Sequence, residues 1–284
     1  MKTSARARSG SDPSWRIDRL KRDAFFEHIK LFVLDLDGTF YIENRLFPYS
    51  LRFLQRVRDT GRSFVFFTNN TSRTPGFYME KLSNMGIEIS REDLITSGDV
   101  CIDYLFNHHK GASVFIMGTE ALCEDFGSAG IRLFQEEQGN PDVVVCAFDT
   151  ELTYDKLERA CTYIRDGAVF LATHEDINCP IEGGFLPDLG AMCAAITLST
   201  GREPKYLGKP HKETVDLIME LTGFVREEIA FIGDRIYTDV ACGVNNGATG
   251  ILVLSGETKT EDIDKSPVKP DAVFSDLGEI ADLL

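Results

Sequence analysis

Asp35 and Asp37 stand two residues apart at the end of an apolar run, Leu31-Phe32-Val33-Leu34, and Gly38 and Thr39 follow at once. A short continuous apolar run predicts a buried parallel strand. Open α/β sheets bind ligands just beyond the carboxyl ends of such strands. Two carboxylates crowded there repel each other, so the pair makes chemical sense when a cation or an electrophile lies between them. Three further signals sit beside strand or helix patterns. Thr68-Asn69 ends the apolar stretch 63–67, Lys209 lies within Gly208-Lys209-Pro210, and Gly233-Asp234 follows Ile229–Ile232, with Asp239 five residues on.

The elements that must position these residues alternate between strand and helix almost from end to end. That pattern predicts an α/β fold, a doubly wound parallel sheet with helices on both faces. Strands are expected at 31–35, 63–67, 93–97, 229–232 and 250–254. Helices are expected at 49–60, from Thr74-Pro75, at 98–109, 212–222 and 276–284. Pro at a first helical turn and Gly61 after a last one suit those places. A second α/β pattern begins near 112, with strands at 114–117, 143–146 and 168–172 and helices at 120–126, 154–166 and 189–200. The intervening stretch from Asn178 to Pro187, with Pro180 and Gly183-Gly184, predicts a long loop. The expected division is an N-terminal extension at 1–30, a catalytic core at 31–109 and 204–284, and an insertion at 110–203. Within the extension, 1–13 read as a disordered tail and 14–30 as a short helix.

Of 284 residues, 43% are apolar and 26% charged, a soluble globular composition. The formal charge is −15, which weighs against nucleic acid as a partner. Of the 30 basic and 45 acidic residues, eight and four fall in the first 30 positions, which leaves 22 and 41, a formal −19. A phosphate ester meets a repulsive general field here, so its binding requires local cations. Seven cysteines without a C-x-x-C pair fit a reducing cytoplasm. No apolar run is long enough to span a membrane, and the N-terminus lacks the apolar segment of a secretory signal. His108 and His109 close a helix, where cations suit its dipole.

Taken in order, Asp35-x-Asp37-Gly38-Thr39, Thr68-Asn69, Lys209 and Gly233-Asp234 with Asp239 make the chain resemble the haloacid dehalogenase-like (HAD) phosphatases over residues 31–284. Within them it resembles the NagD-like, p-nitrophenyl phosphatase-like branch, subfamily IIA. The resemblance implies a HAD core with an inserted α/β cap of the C2 type, and Mg2+ as cofactor. Asp35 would attack phosphorus, being ionised at neutral pH without a base. Asp37 would protonate the leaving oxygen and then deprotonate water, a task suited to a raised pKa. Gly38 would admit phosphate close to the backbone, and Thr68, Asn69 and Lys209 would hold its oxygens. Asp35, the Asp37 carbonyl and Asp234 would ligate the metal, with Asp239 behind them holding Lys209 or water. Capping or turn roles compete for Asp37 and Thr68.

The cap of such proteins carries Ala-Thr-Asn-x-Asp where this chain has Ala172-Thr173-His174-Glu175-Asp176, and Pro-Gly-x-Gly where it has Pro187-Asp188-Leu189-Gly190. His174, Asp176 and Asn178 are therefore candidates for substrate selection, with a purely structural loop role as the competing reading. A second suitably spaced His or Cys is missing, so His174 is not expected to bind a metal. The expected function is Mg2+-dependent hydrolysis of small phosphorylated metabolites through an aspartyl-phosphate. Sugar phosphates are favoured, with nucleoside monophosphates and phosphoglycolate as alternatives. Asp37 argues against dehalogenase and phosphonatase chemistry. A phosphomutase and a non-catalytic phospho-ligand binder are the remaining readings. The resemblance leaves a homodimer through the cap open.

Overall fold

The structure, a computed structural model, describes residues 24–135, 139–181 and 183–284. The expected tail, and most of the helix expected over 14–30, lie outside the described residues. Ala24 and Phe25 are helical and a turn follows. Phe26 and Ile29 from this entry segment are buried in the main core.

The chain lays down β1 (Leu31–Asp35), a small antiparallel hairpin of β2 (Tyr41–Ile42) and β3 (Arg45–Leu46), then β4 (Ser63–Thr68) and β5 (Leu94–Thr96). Next come β6 (Val114–Met117), β7 (Val143–Cys146), β8 (Val169–Ala172), the antiparallel pair β9 (Asn178–Ile181) and β10 (Gly184–Pro187), and β11 (Lys205–Tyr206). β12 (Ile229–Gly233), β13 (Thr249–Val253) and β14 (Ala272–Phe274) close the chain. A six-stranded parallel sheet has the order β14-β13-β12-β1-β4-β5, and a four-stranded parallel sheet the order β11-β8-β7-β6. Every strand of the second sheet falls in sequence between β5 and β12. The second sheet is thus an insertion into the connectivity of the first.

β1 is buried throughout Leu31–Leu34 because both its faces are covered. Strand alternation sends Phe32 and Leu34 into one core cluster and Leu31 and Val33 into another. The second of these clusters also contains Val114, Ile116, Val143, Val145 and Leu171, so the two sheets share apolar packing. A third cluster, with Phe115, Phe148 and Phe170, belongs to the inserted sheet alone. Fully burying one such Leu or Phe contributes roughly 1.5–3 kcal/mol. The register places Leu34 beside both Phe66 and Ile232, and Asp35 beside Phe67. The chain segments that follow β1, β4 and β12 therefore emerge together at one edge of the sheet.

The stretch 178–187, expected to be a loop, is instead the hairpin β9–β10. Its strands are short, rich in Gly and Pro and mostly exposed, which hides the period-two pattern. β11 pairs with β8, so the inserted sheet reaches Tyr206, three residues beyond the expected boundary at 203. β14 and the short helix Thr260–Lys265 were not anticipated. At three residues, β14 is too brief to carry a periodic signal.

Candidate active site

Asp35 ends β1 where the chain must turn sharply. The Phe40 and Tyr41 amides both donate to the Leu36 carbonyl, and the Gly38 amide donates to the Tyr41 carbonyl at 2.9 Å. Gly38 sits at φ +86°, and a Cβ there would lie 2.7 Å from Asp234 Oδ2. Glycine is thus needed twice over, for its conformation and for the approach of the two loops. Gly256 packs against Asp234 in the same way, since any Cβ at 256 would overlap its carboxylate.

Lys209 is buried, with its side chain 3% exposed, and its Nζ donates to Asp35 Oδ1 at 2.7 Å and to Asp239 Oδ1 at 2.6 Å. Asp239 lies in a single π-helical turn, Ile236–Val240, and its other oxygen accepts from the Arg235 amide at 3.1 Å. Such turns frequently mark functional sites. Asp234 accepts from the Glu257 amide at 2.6 Å and the Thr39 hydroxyl at 3.3 Å. Carboxylate oxygens of Asp35, Asp234 and Asp239 all lie within 4.8 Å of one another.

The electrostatics follow from that crowding. Burial and then the Asp239 carboxylate push the Asp35 carboxyl well above its ordinary range, while Lys209 pulls against both. Burial and then Asp239 push Asp234 up to about 6, against the Glu257 amide and Arg235. Burial works to discharge Lys209, yet Asp239 and Asp35 outweigh it and hold the amine above its ordinary value. Three carboxylates, Asp234 and Asp239 buried and Asp35 largely so, facing one ammonium leave an excess of negative charge. A hard divalent cation with oxygen ligands fits that excess, and Mg2+ characteristically takes one or two carboxylates. Asp35 has the clearest capacity to spare, since its Oδ2 has no hydrogen-bond partner among the described residues, whereas each oxygen of Asp234 and of Asp239 accepts one bond.

Asp37 stands at the mouth of the site with its side chain 46% exposed, 3.8 Å from Lys81 and 3.3 Å from the Tyr41 hydroxyl. Desolvation raises the carboxyl above the ordinary value, and Lys81 and Tyr41 oppose the shift. Solvent at the mouth damps it further. The Lys81 ammonium also lies 3.9 Å from the centre of the Tyr41 ring.

A cavity of about 230 Å3 opens over these groups. Asp35, Asp37, Thr68, Asn69 and Lys209 all line it, and so does Asp176 from the inserted segment. Asp234, Asp239 and Gly38 do not line it. Of the remaining sequence candidates, His174 and Asn178 do not line it. His174 is fully buried, with Nε2 3.0 Å from Asp188 Oδ1 and Nδ1 3.1 Å from the Thr173 hydroxyl. Both ring nitrogens are thereby engaged in holding the inserted segment. His174, Asp176 and Asp188 cluster within 4.8 Å, and Asp188 Oδ1 also accepts from the Leu189 amide at 2.6 Å. Asn178 is exposed at the start of β9.

The Asn69 side chain has a structural role of its own. Its Nδ2 donates to the Lys209 carbonyl at 3.0 Å while its Oδ1 accepts from the Lys209 amide at 2.9 Å. The same Nδ2 lies 3.4 Å from both Asp176 oxygens. Gly208 makes room for this clamp, since a Cβ there would lie 2.7 Å from Asn69 Oδ1 and 2.6 Å from the Thr173 carbonyl. Thr68 keeps a local bond, accepting from the Asn70 amide at 3.2 Å. Asn69→Ala is expected to cost about 1–2 kcal/mol of stability by leaving buried backbone groups of Lys209 unpaired. It is also expected to lower kcat about tenfold or more by loosening Lys209. Thermal melts and steady-state kinetics on the purified variant check both effects.

Arg73 and Lys81 were not among the sequence candidates, and Arg235, which the sequence left open between pocket and surface, joins them in lining the cavity. They supply the local positive charge that the acidic composition demands. Arg235 bridges the inserted segment and the main sheet, with Nη1 3.4 Å from Asp176 and Nε 2.9 Å from Glu257. The signal available for Arg235 was its place directly after Asp234. Tyr237 points its hydroxyl to Glu257 at 3.0 Å and does not line the cavity.

Comparison with known proteins agrees with this architecture. Residues 32–132 match the family described as haloacid dehalogenase-like hydrolase, and 206–280 match one described as HAD-hydrolase-like. An acid sugar phosphatase of Staphylococcus aureus is 34% identical over 255 residues, which span 89% of this chain and 98% of that protein. The crystal structure of a 4-nitrophenylphosphatase from Thermotoga maritima superposes with a TM-score of 0.86 at 44% identity, covering 92% of this chain and 98% of that one. NagD from Escherichia coli K-12 superposes at 0.81 with 30% identity, covering 90% and 99%. The chain belongs to the haloacid dehalogenase-like hydrolases. Its neighbours set it within the NagD-like branch, subfamily IIA, as its motifs implied.

Proposed function

We propose that this hydrolase cleaves small phosphomonoesters, sugar phosphates foremost, through an aspartyl-phosphate on Asp35. The observation that carries the reading is the shared contact of Lys209 with Asp35 and Asp239, beside Asp234 and beneath a cavity ringed by cations. The names of the relatives, an acid sugar phosphatase and a 4-nitrophenylphosphatase, support the same chemistry.

In this reading Lys209 holds Asp35 Oδ1, and Oδ2, which has no hydrogen-bond partner among the described residues, attacks phosphorus. The phosphorus–oxygen bond to the leaving group breaks as Asp37 delivers a proton to that oxygen. Asp37, now a carboxylate, takes a proton from a water that attacks phosphorus. The bond to Asp35 then breaks, which frees inorganic phosphate and restores the carboxylate. Thr68, the Asn69 amide and Lys209 bind the non-bridging oxygens, where most of the stabilisation is gained. Asp35, the Asp37 carbonyl and Asp234 would hold Mg2+, which when bound supplies further positive charge to those oxygens.

Residues 31–109 and 204–284 serve as the core in this account. Residues 110–203, with Lys205–Tyr206 paired onto their edge, serve as a cap that closes over the cavity and excludes water. Asp176 brings the cap to the site through Asn69 and Arg235. A cytoplasmic setting goes with seven free cysteines, and no helix among the described residues is long and apolar enough to cross a membrane. Assembly of two copies through the cap is read by sedimentation.

Phosphate release from a panel of sugar phosphates, nucleoside monophosphates and phosphoglycolate tests the reading. The highest kcat/KM is expected among the sugar phosphates, and EDTA is expected to abolish all turnover until Mg2+ is restored. Activity undiminished by EDTA would contradict the metal's part.

Proton and metal compete for Asp234. With its carboxyl raised from 3.8 to about 6, the metal-free fold binds that proton more tightly than the unfolded chain does. This contribution to stability is complete below 3.8 and lost as pH rises through about 6. A divalent cation reverses the penalty by favouring the ionised form. The Mg2+-induced rise in Tm is therefore expected to be larger at about pH 7.5 than at about pH 5, and scanning calorimetry at the two values checks it.

A further inference from the structure

The charged groups lining the cavity pair off almost completely. Lys209 meets Asp35 and Asp239, Arg235 meets Asp176 and Glu257, Lys81 meets Asp37, and Asp188 meets His174. Arg73 is the exception. It lines the same cavity and has no carboxylate partner among the described residues. Its guanidinium instead lies 5.1 Å from the centre of the Phe77 ring, which lines the cavity beside it. Ring contact holds a guanidinium while its in-plane N–H donors stay unspent, in the fork geometry that matches a carboxylate or phosphate bidentately. An unneutralised cation at the mouth of a pocket whose other cations are all paired selects charge on the part of the ligand that is not at Asp35.

We propose that Arg73 is a specificity-determining residue that binds a second anionic group on the leaving portion of the substrate. The favoured substrates are then sugar phosphates bearing a carboxylate or a second phosphate. This inference rests on the phosphomonoesterase reading of the site and narrows its substrate class. Phe77 orients the guanidinium, and the side chains at Asp35 and Lys209 act on the scissile phosphoryl group independently of it.

The test compares matched pairs on the full chain in Mg2+, namely 3-phosphoglycerate with glycerol 3-phosphate, and glucose 1,6-bisphosphate with glucose 6-phosphate. 4-Nitrophenyl phosphate is the reference. For the wild type, kcat/KM is expected to favour the doubly anionic member of at least one pair by about tenfold or more, and the pair that responds identifies which anion is read. In Arg73→Ala that ratio is expected to collapse towards one, chiefly through KM. Arg73→Lys, which keeps the charge without the fork, is expected to fall between. Melting temperatures near the wild type's establish that both variants fold. A wild-type ratio near one in both pairs, or a ratio unmoved in folded Arg73→Ala, overturns the role of Arg73. If the wild type leaves 4-nitrophenyl phosphate intact, it is the phosphatase reading itself that has failed.

Discussion

Asp35→Asn is expected to lower kcat by at least about 10⁴-fold, with the protein still folded. The amide is nearly the same size as the carboxylate and can still accept a bond from Lys209, now 2.7 Å from Asp35 Oδ1. It is not a nucleophile towards phosphorus, and it removes one negative charge from the group that would attract the cation. Folding need not suffer, because the ionised Asp35 is itself under strain. Burial and the Asp239 charge oppose its ionisation. A stability equal to or above that of the wild type at neutral pH, beside absent turnover, is the expected pair of results. Circular dichroism melts and a phosphate-release assay measure them on one preparation.

Lys209→Met is the second large effect, and it acts on rate and stability together. Loss of the ammonium removes charge stabilisation from the reacting phosphoryl group, worth about 10²–10³-fold in kcat. It also strands Asp239, whose side chain is 2% exposed, beside Asp35. Breaking a buried pair by deleting one partner costs about 3–5 kcal/mol. Protonation of the Asp35 carboxyl relieves part of that cost, which fixes the direction of its pH dependence. Without Lys209 the Asp35 carboxyl, already raised, rises further in the folded state. Such a group stabilises the fold at acid pH, and that contribution is lost as pH rises through its folded value. The Tm deficit of Lys209→Met relative to wild type is therefore expected to grow from about pH 5 to about pH 7.5. A deficit that shrinks over that range would mean that the lysine does not neutralise these carboxylates.

The acidic floor of the site was legible in the sequence because it is built from strand ends. An apolar run that stops at Asp35, and another that stops at Asp234, announce themselves by the abrupt change in polarity. Parallel pairing of β1 with both β4 and β12 then brings Asp35, Thr68 and Asp234 to one edge. What stayed hidden depends on partners far apart in sequence. The Asn69 clamp on Lys209 spans 140 residues, and no local pattern marks it. His174 occupies a place where substrate contact was expected, yet its bonds to Asp188 and Thr173 turn it inward. The hairpin β9–β10 escaped because its exposed strands carry little hydrophobic alternation. Arg73 was invisible for a different reason: its interest lies in having no carboxylate partner among the described residues, which only the arrangement of the other charges reveals.

The most direct measurement is chemical capture of the phosphorylated residue. Enzyme turning over a sugar phosphate in Mg2+ is quenched in acid and treated with borohydride, which reduces an acyl phosphate to the alcohol. Peptide mass spectrometry then reads the site. The account predicts conversion of Asp35 to homoserine, dependent on substrate and absent from every other carboxylate. An unmodified Asp35 in enzyme quenched during rapid turnover, or reduction at another residue, would contradict it.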